Sequence, residues 1–191
     1  MKTESFEKVQ VESAEDLRRW LAEHHGQEAG VWVVTFKKDA GARYVSKSEV
    51  LDELLCFGWI DGIARKLDDE RTMQLITPRR AQHWARSYKE RVAALTEQGR
   101  MHPAGVRSVE KGKASGLWTF MDDVDDLVIP QDLAEALAAR PGAADYFAII
   151  PPASKRFSLR WIKLARTPTT RAKRITTMAG LAARGEKLPG S

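Results

Sequence analysis

The sequence contains a single cysteine, Cys56, among 191 residues. One chain therefore cannot form an internal disulfide, nor can it build a zinc site from cysteines. The chain also has no apolar run near the ~20 residues that cross a bilayer, and acids interrupt its first residues where a signal peptide has its apolar core. We therefore expect a cytoplasmic protein that does not insert into a membrane.

The sequence also lacks the motifs that identify common enzymes. It contains no glycine-rich phosphate loop, no G-x-S-x-G nucleophile elbow and no dinucleotide-binding fingerprint. The histidines show no H-E-x-x-H spacing, and the acidic run at 122–126 lacks the glycine and the distal glutamate of a calcium loop. These absences argue against a conventional enzyme, and we predict no metal and no cofactor.

The segment LLCFGWIDG, residues 54–62, places Cys56 and Asp61 near the expected end of a helix. A cysteine nucleophile needs thiolate character, and the dipole at a helix C-terminus disfavours an anion. We therefore interpret Cys56 as a buried, inert thiol. Asp61 is expected to bond turn amides or to pair with Arg79 and Arg80 of the later segment TPRR.

Positive charge is concentrated at the end of the chain. Residues 1–100 contain 17 basic and 17 acidic side chains, whereas residues 151–191 contain ten basic side chains against Glu186 alone. Such a local excess attracts anions and predicts phosphates, nucleic acid or an acidic surface as partners. A solvated helical face is the alternative interpretation.

The apolar pattern predicts an α+β protein with two parts. Residues 1–127 are expected to form helices and a small antiparallel sheet of three or four strands, with one helix that begins after Ser46 and ends at Gly62. Residues 128–191 are predicted to form an all-helical, basic module packed on the first part. Proline and glycine punctuation predicts helices in this module at about 131–139, 142–149, 154–166 and 168–183.

The basic segment SKRFSLRWIKLARTPTTRAKRI predicts two helices. On the first, basic side chains share one arc, and we expect the adjacent apolar arc to pack against the protein. That arc comprises Phe157, Trp161, Leu164 and Ala165.

Thr167 is predicted to cap the second helix, which would begin at Pro168. Free amides beside Arg171 and Arg174 would then form an anion site. Alternatively, these arginines contact only water or the acids at 122–126. The two helices could also form a DNA-binding helix-turn-helix, which the lack of a row of base-reading side chains after Arg174 disfavours.

Four segments in the order LLCFGWIDG, ITPRRAQHW, EQGRMHPAG and RWIKLARTPTTRAKRI resemble the bacterial YdeI/OmpD-associated family of bacteriocin-protection proteins. The resemblance extends from about Leu17 to Leu188. It implies a cytoplasmic protein linked to tolerance of stress or antimicrobial peptides, with no established reaction. The chain departs from the family's Trp-Ser-x-x-Asn pattern, because Ala85 and Tyr88 follow Trp84 at the corresponding positions.

These patterns together predict a non-catalytic module that binds an anionic small molecule or an acidic surface in a groove between the two parts. The arginines would supply charge, two tryptophans would form walls, and an aspartate would orient the arginines. The predicted ligand-binding residues are Trp59, Asp61, Arg79, Arg80, Trp84, Thr167, Arg171 and Arg174.

Three other functions stay open at this point. The basic C-terminal helices could bind nucleic acid, with an affinity that falls steeply as salt rises. Asp61 could act as the general base of an enzyme of unrecognised class. Some relatives in the family carry a frataxin-like domain before the helical module, and with Glu12, Glu15 and Asp16 this motivates iron binding as the third alternative.

Overall fold

A computed structural model describes residues 5–190 and confirms the α+β class. The described chain divides after Thr119 into two compact units, which we call the N-terminal unit and the C-terminal unit. Each unit has its own hydrophobic core. The sheet belongs to the N-terminal unit, and the elements described in the C-terminal unit are all helices.

The sheet of the N-terminal unit is mixed and has the strand order β1-β2-β4-β3. Its strands are β1 (Lys8–Gln10), β2 (Val31–Phe36), β3 (Trp59–Lys66) and β4 (Arg71–Pro78). The β2–β4 and β3–β4 pairs are antiparallel, as predicted, but β1 lies parallel to β2. A parallel pair needs a crossover, and the helix α1 (Ala14–His24) between the two strands supplies it.

Helix α2 (Lys47–Phe57) ends before the predicted stop at Gly62. Its C-cap is Gly58, which has a left-handed backbone with φ of 74°. A Cβ at Gly58 would lie 3.0 Å from the carbonyl oxygen of Ala104. The close approach of this later segment therefore also favours glycine at position 58. The residues after Gly58 are therefore free to form β3, and the prediction of a longer helix was wrong.

Helices α3 (Arg86–Glu97) and α4 (Pro103–Ala114) form a hairpin, and both pack on α2. The hairpin is antiparallel, because the amide of Trp84 before α3 donates to the carbonyl of Leu117 after α4 at 3.1 Å. Gly112 allows α4 to approach Trp84 closely, since a Cβ there would lie 2.4 Å from the indole nitrogen. This approach fixes the end of α4 beside the start of α3.

The described helices of the C-terminal unit occupy the predicted places within a few residues. A short helix that was not predicted, α5 (Asp122–Asp125), precedes them. The others are α6 (Gln131–Ala138), α7 (Ala143–Ile149), α8 (Pro152–Lys163) and α9 (Pro168–Ala183). Between residues 5 and 190, no helix is both long and apolar enough to span a bilayer.

Candidate functional site

Arg79 occupies a half-buried position directly after β4. Its amide donates to the carbonyl of Gly58 at 2.9 Å, so the end of α2 fixes its backbone. Its Nη2 atom donates to the carbonyl of His83 at 2.8 Å. The guanidinium carbon lies 3.7 Å from the centroid of the Trp84 ring and 5.7 Å from that of Tyr88. Both rings therefore stabilise the cation through their negative faces.

The remaining donors of Arg79 are unsatisfied. Its Nε and Nη1 atoms are buried and have no hydrogen-bond partner. Burial lowers the pKa of Arg79 to about 10, against the opposite influence of Tyr88 and Asp61. The guanidinium is therefore still charged at neutral pH, and it carries N–H groups that an anionic oxygen can satisfy.

Asp61 lies on β3 near this arginine and is hydrogen-bonded to other side chains. Its Oδ1 atom accepts a hydrogen bond from the Tyr88 hydroxyl at 2.5 Å, and its Oδ2 atom accepts one from Gln74 at 3.3 Å. The expected partners of Asp61 were turn amides or the arginines. Tyr88, at the position where this chain departs from the family pattern, thus holds the carboxylate through its hydroxyl.

The predicted site residues Trp59 and Arg80 lie in different surroundings. Trp59 belongs to the hydrophobic core, where its indole nitrogen donates to the carbonyl of His25 at 3.2 Å. Arg80 is exposed, and its Nη2 atom donates to the carbonyl of Glu28 at 3.2 Å. Consecutive arginines therefore have separate neighbours, and Arg79 is the one that lies on Trp84.

The ring of Trp84 continues into a second aromatic contact. Trp118 packs against it with the ring centroids 5.1 Å apart. Two ammonium groups approach the Trp118 ring, with Lys113 at 5.3 Å and Lys89 at 5.8 Å from its centroid. The indole pair is thus in contact with cations at both ends, Arg79 on one ring and the lysines on the other.

Sequence reasoning did not identify the groove that begins at these lysines. It lies between α3 and α4 and has a volume of about 440 Å³. The spacing of its residues, near three and four along each helix, was a signal, but only the packing of both helices on α2 brings the two sets to the same groove. Its apolar lining comprises Val92, Ala93, Met101, Val106, Val109 and Trp118.

In the C-terminal unit, Thr167 caps α9 as predicted, and its hydroxyl accepts from the amide of Thr170 at 3.1 Å. Arg171 forms a bidentate ion pair with Asp132, at 2.7 and 2.9 Å. The hydrogen bonds from Arg171 lower the pKa of the Asp132 carboxyl below its ordinary value. A carboxylate of the same unit therefore already occupies this arginine.

The other basic residues near the start of α9 also have partners within the C-terminal unit. Arg174 donates to the carbonyl of Trp161, and its guanidinium carbon lies 5.1 Å from the centroid of that ring. Lys163 pairs with Asp123, one of the acids at 122–126. The alternative interpretation paired Arg171 and Arg174 with water or these acids, whereas their hydrogen-bond partners are Asp132 and the carbonyl of Trp161.

Helix α8 buries a different face from the one predicted. Ser154, Ser158, Leu159 and Ile162 are its buried residues. By contrast, Phe157 and Leu164 of the predicted packing arc are 42% and 40% exposed. The small serines make an adjacent side of the helix suitable for close packing on its neighbours, and of the predicted arc Trp161 packs partly against the core. This leaves an exposed face that combines aromatic, aliphatic and basic side chains.

The described residues contain no group of three or more His, Cys, Asp or Glu side chains that could hold a metal ion. Cys56 is buried, and its pKa is raised by burial and by the charge of Glu53. The thiol is therefore protonated at neutral pH, as expected for an inert cysteine.

The architecture is an α+β unit with a cation–indole cluster, followed by a helical unit that carries a basic segment. Residues 9–108 match the family model of a domain of unknown function, DUF8412. Residues 126–185 match the model described as Bacteriocin-protection, YdeI or OmpD-Associated.

Residues 126–185 therefore belong to the YdeI/OmpD-associated bacteriocin-protection family, and the DUF8412 domain, which covers just over half of the chain, precedes them. This confirms the resemblance inferred from the sequence. Of the four segments that suggested it, the last lies within residues 126–185, and the first three lie within the DUF8412 match. Membership indicates a protein related to protection. No curated protein and no solved structure matches the chain.

Proposed function

We propose that the protein is a non-catalytic binding module of the cytoplasm that serves in stress protection and holds an anionic ligand at Arg79. The observation that carries this proposal is the buried pair of donors, Nε and Nη1, that have no partner. Buried polar groups in folded proteins are nearly always hydrogen-bonded, and an unsatisfied one costs about 1–3 kcal/mol. A carboxylate or phosphate oxygen would satisfy them with a charge-assisted bond.

The surroundings of Arg79 support the same interpretation. Trp84 fixes the plane of the guanidinium by stacking at 3.7 Å, and the carbonyl of His83 holds its Nη2 atom. Asp61, the nearby carboxylate, is hydrogen-bonded to Tyr88 and Gln74. The arginine is thus oriented in advance, so little side-chain entropy is lost when an anion binds.

The other predicted arginines are weaker candidates because they already have partners. Arg171 would have to give up its bidentate bonds to Asp132, and Arg174 its bond to the carbonyl of Trp161. Arg80 would lose its contact with Glu28. Their contribution, together with that of Thr167 and Trp59 and the groove predicted to join them, stays a prediction.

The direct test is a titration with inorganic phosphate, sulfate or acetate, monitored through the NMR signal of the Arg79 Nε–H group. We expect this signal to move with saturation behaviour and to disappear in Arg79→Gln, which should also lose binding in calorimetry. Arg80→Gln is the matched control, because it removes the neighbouring arginine and should retain binding. A signal that none of these anions moves would rule out the site.

The exposed face of α8 favours a second candidate function, the binding of single-stranded nucleic acid. Phe157 is exposed beside Arg156 and Arg160, so an aromatic platform lies next to cations, as in proteins that bind single strands by stacking. Affinity for a single-stranded oligonucleotide should then fall steeply between low and moderate salt. Phe157→Ala should weaken it more than Ile149→Ala, which removes another exposed apolar side chain.

A further inference from the structure

The groove between α3 and α4 is basic at one end and apolar along its length. Lys89 and Lys113 lie at the end marked by Trp118, while Glu97 closes α3 near the hairpin loop. We infer that this groove binds a medium-chain aliphatic carboxylate, with its head group between the two lysines and its chain along the apolar floor. The inference goes beyond the proposed function and rests on different residues.

The position of the head group follows from how the charges converge. Lys89 comes from the first turns of α3 and Lys113 from the last turn of α4, yet both ammonium groups lie within 6 Å of the centroid of one ring, at 5.8 and 5.3 Å. The acids of the groove, Glu97 and Glu110, lie on different helices, and Glu110 is one turn from Lys113. An anionic head group placed beside the Trp118 ring would therefore lie near both ammonium groups.

The chain of the ligand is assigned from the apolar floor. Val92 and Val109 are buried at the base of the groove, whereas Val106 on its wall is 41% exposed. The volume of about 440 Å³ falls within the range of about 300–1,000 Å³ found for small-molecule sites. An aliphatic chain would cover the exposed apolar surface, and each fully buried CH₂ group would tighten binding about fourfold.

The groove is preformed because other contacts hold its walls. A Cβ at Gly105 would lie 2.1 Å from the carbonyl oxygen of Cys56, so α4 is seated directly on α2. The bond from Trp84 to Leu117 fixes the other end of the hairpin. A ligand therefore does not have to open the helices, which reduces the free-energy cost of binding.

Equilibrium dialysis of the full chain against decanoate, octanoate, acetate and octylamine tests the inference. We expect decanoate to bind with one site per chain, octanoate about fifteenfold more weakly, and acetate not to compete. Octylamine has a similar chain with a cationic head and should not displace decanoate. Absence of saturable decanoate binding, or equal affinity for octanoate and decanoate, would overturn the proposal.

Variants on the two helices locate the site. Ala93 is exposed on the groove side of α3, so Ala93→Trp should fill the groove and abolish decanoate binding, whereas Ala94→Trp, next to it outside the groove, should retain it. Lys113→Gln should weaken binding about threefold, and Lys111→Gln should not. Unchanged affinity in a folded Ala93→Trp variant would refute the site.

Arg79→Gln separates this inference from the anion site proposed at Arg79. It removes the guanidinium on Trp84 but leaves the groove and its lysines in place. Decanoate affinity should therefore stay within about twofold of the unsubstituted protein, as expected for independent sites. Loss of decanoate binding in this variant would place the carboxylate at Arg79 and contradict the assignment to the groove.

Discussion

Gly105 of α4 lies directly against the carbonyl of Cys56 in α2, so that a Cβ at this position would be 2.1 Å from the oxygen. This oxygen belongs to the backbone of α2, so it cannot move away by a side-chain rotation. We expect Gly105→Ala to lower the free energy of unfolding by about 3 kcal/mol, because the helices must separate. Urea denaturation of the two proteins measures this change in the free energy of unfolding. Gly180→Ala is the control: it lies within α9 with only ordinary contacts and should be neutral or stabilising.

Glu53 joins α2 to two arginines. It is 3% exposed and pairs with Arg18 at 2.8 Å and with Arg100. We expect Glu53→Ala to lower the free energy of unfolding by about 3 kcal/mol, because it leaves partly buried cations without their counter-ion. Glu90→Ala, on the exposed side of α3, should cost less than about 0.5 kcal/mol. Similar losses for the two variants in denaturant titrations would contradict a structural role for Glu53.

His102 makes stability depend on pH. Its Nδ1 atom accepts a hydrogen bond from the Ala104 amide at 3.2 Å, which requires that nitrogen to be unprotonated. Burial, with the charges of His25, Arg107 and Arg18, lowers its pKa. The unfolded chain therefore takes up a proton near pH ~6.5, while the folded protein does so only at lower pH, so acidification in this window favours unfolding.

The test of this linkage is His102→Asn, which keeps an acceptor at the helix N-cap but does not titrate. Its melting temperature should fall less than that of the unsubstituted protein between about pH 7 and pH 5. Equal declines in the two proteins, measured by calorimetry in matched buffers, would show that His102 does not contribute.

Arg79 should lower stability in the free protein. Its two buried donors lack partners, so replacing the side chain with an apolar one of similar length removes a cost. We expect Arg79→Met to raise the free energy of unfolding by about 1 kcal/mol while it abolishes anion binding. A loss of stability on this substitution would instead assign Arg79 a structural role.

The sequence was sufficient for the class of fold and for the four longer helices described in the C-terminal unit, because proline, glycine and capping threonine act locally. The end of α2 was not predictable in this way. The apolar pattern continues through Trp59 and Ile60, and the contact that makes Gly58 the helix end comes from Ala104, far along the chain. The strand β1 has three residues and becomes visible only through its pairing with β2.

In the candidate site, too, the sequence identified individual residues but not the contacts between segments that are distant along the chain. Arginine at position 79 was identifiable from its charge, but its contact with Trp84 and the lack of partners for two of its donors depend on how the chain turns after β4. Sequence comparison identified Tyr88 only as a difference from the family pattern. Its hydrogen bond to Asp61 was not predictable, because it requires α3 to lie beside β3. The groove depends on how α3 and α4 pack on α2.

The short strand β1 also protects its neighbour. β2 has the sequence VWVVTF and is buried along almost all its length, and β1 covers the outer row of its amide and carbonyl groups. Loss of the residues before Ser13, by proteolysis or truncation, would turn β2 into an open apolar edge that can pair with the same strand of another molecule. The three residues of β1 therefore protect β2 from pairing with another molecule.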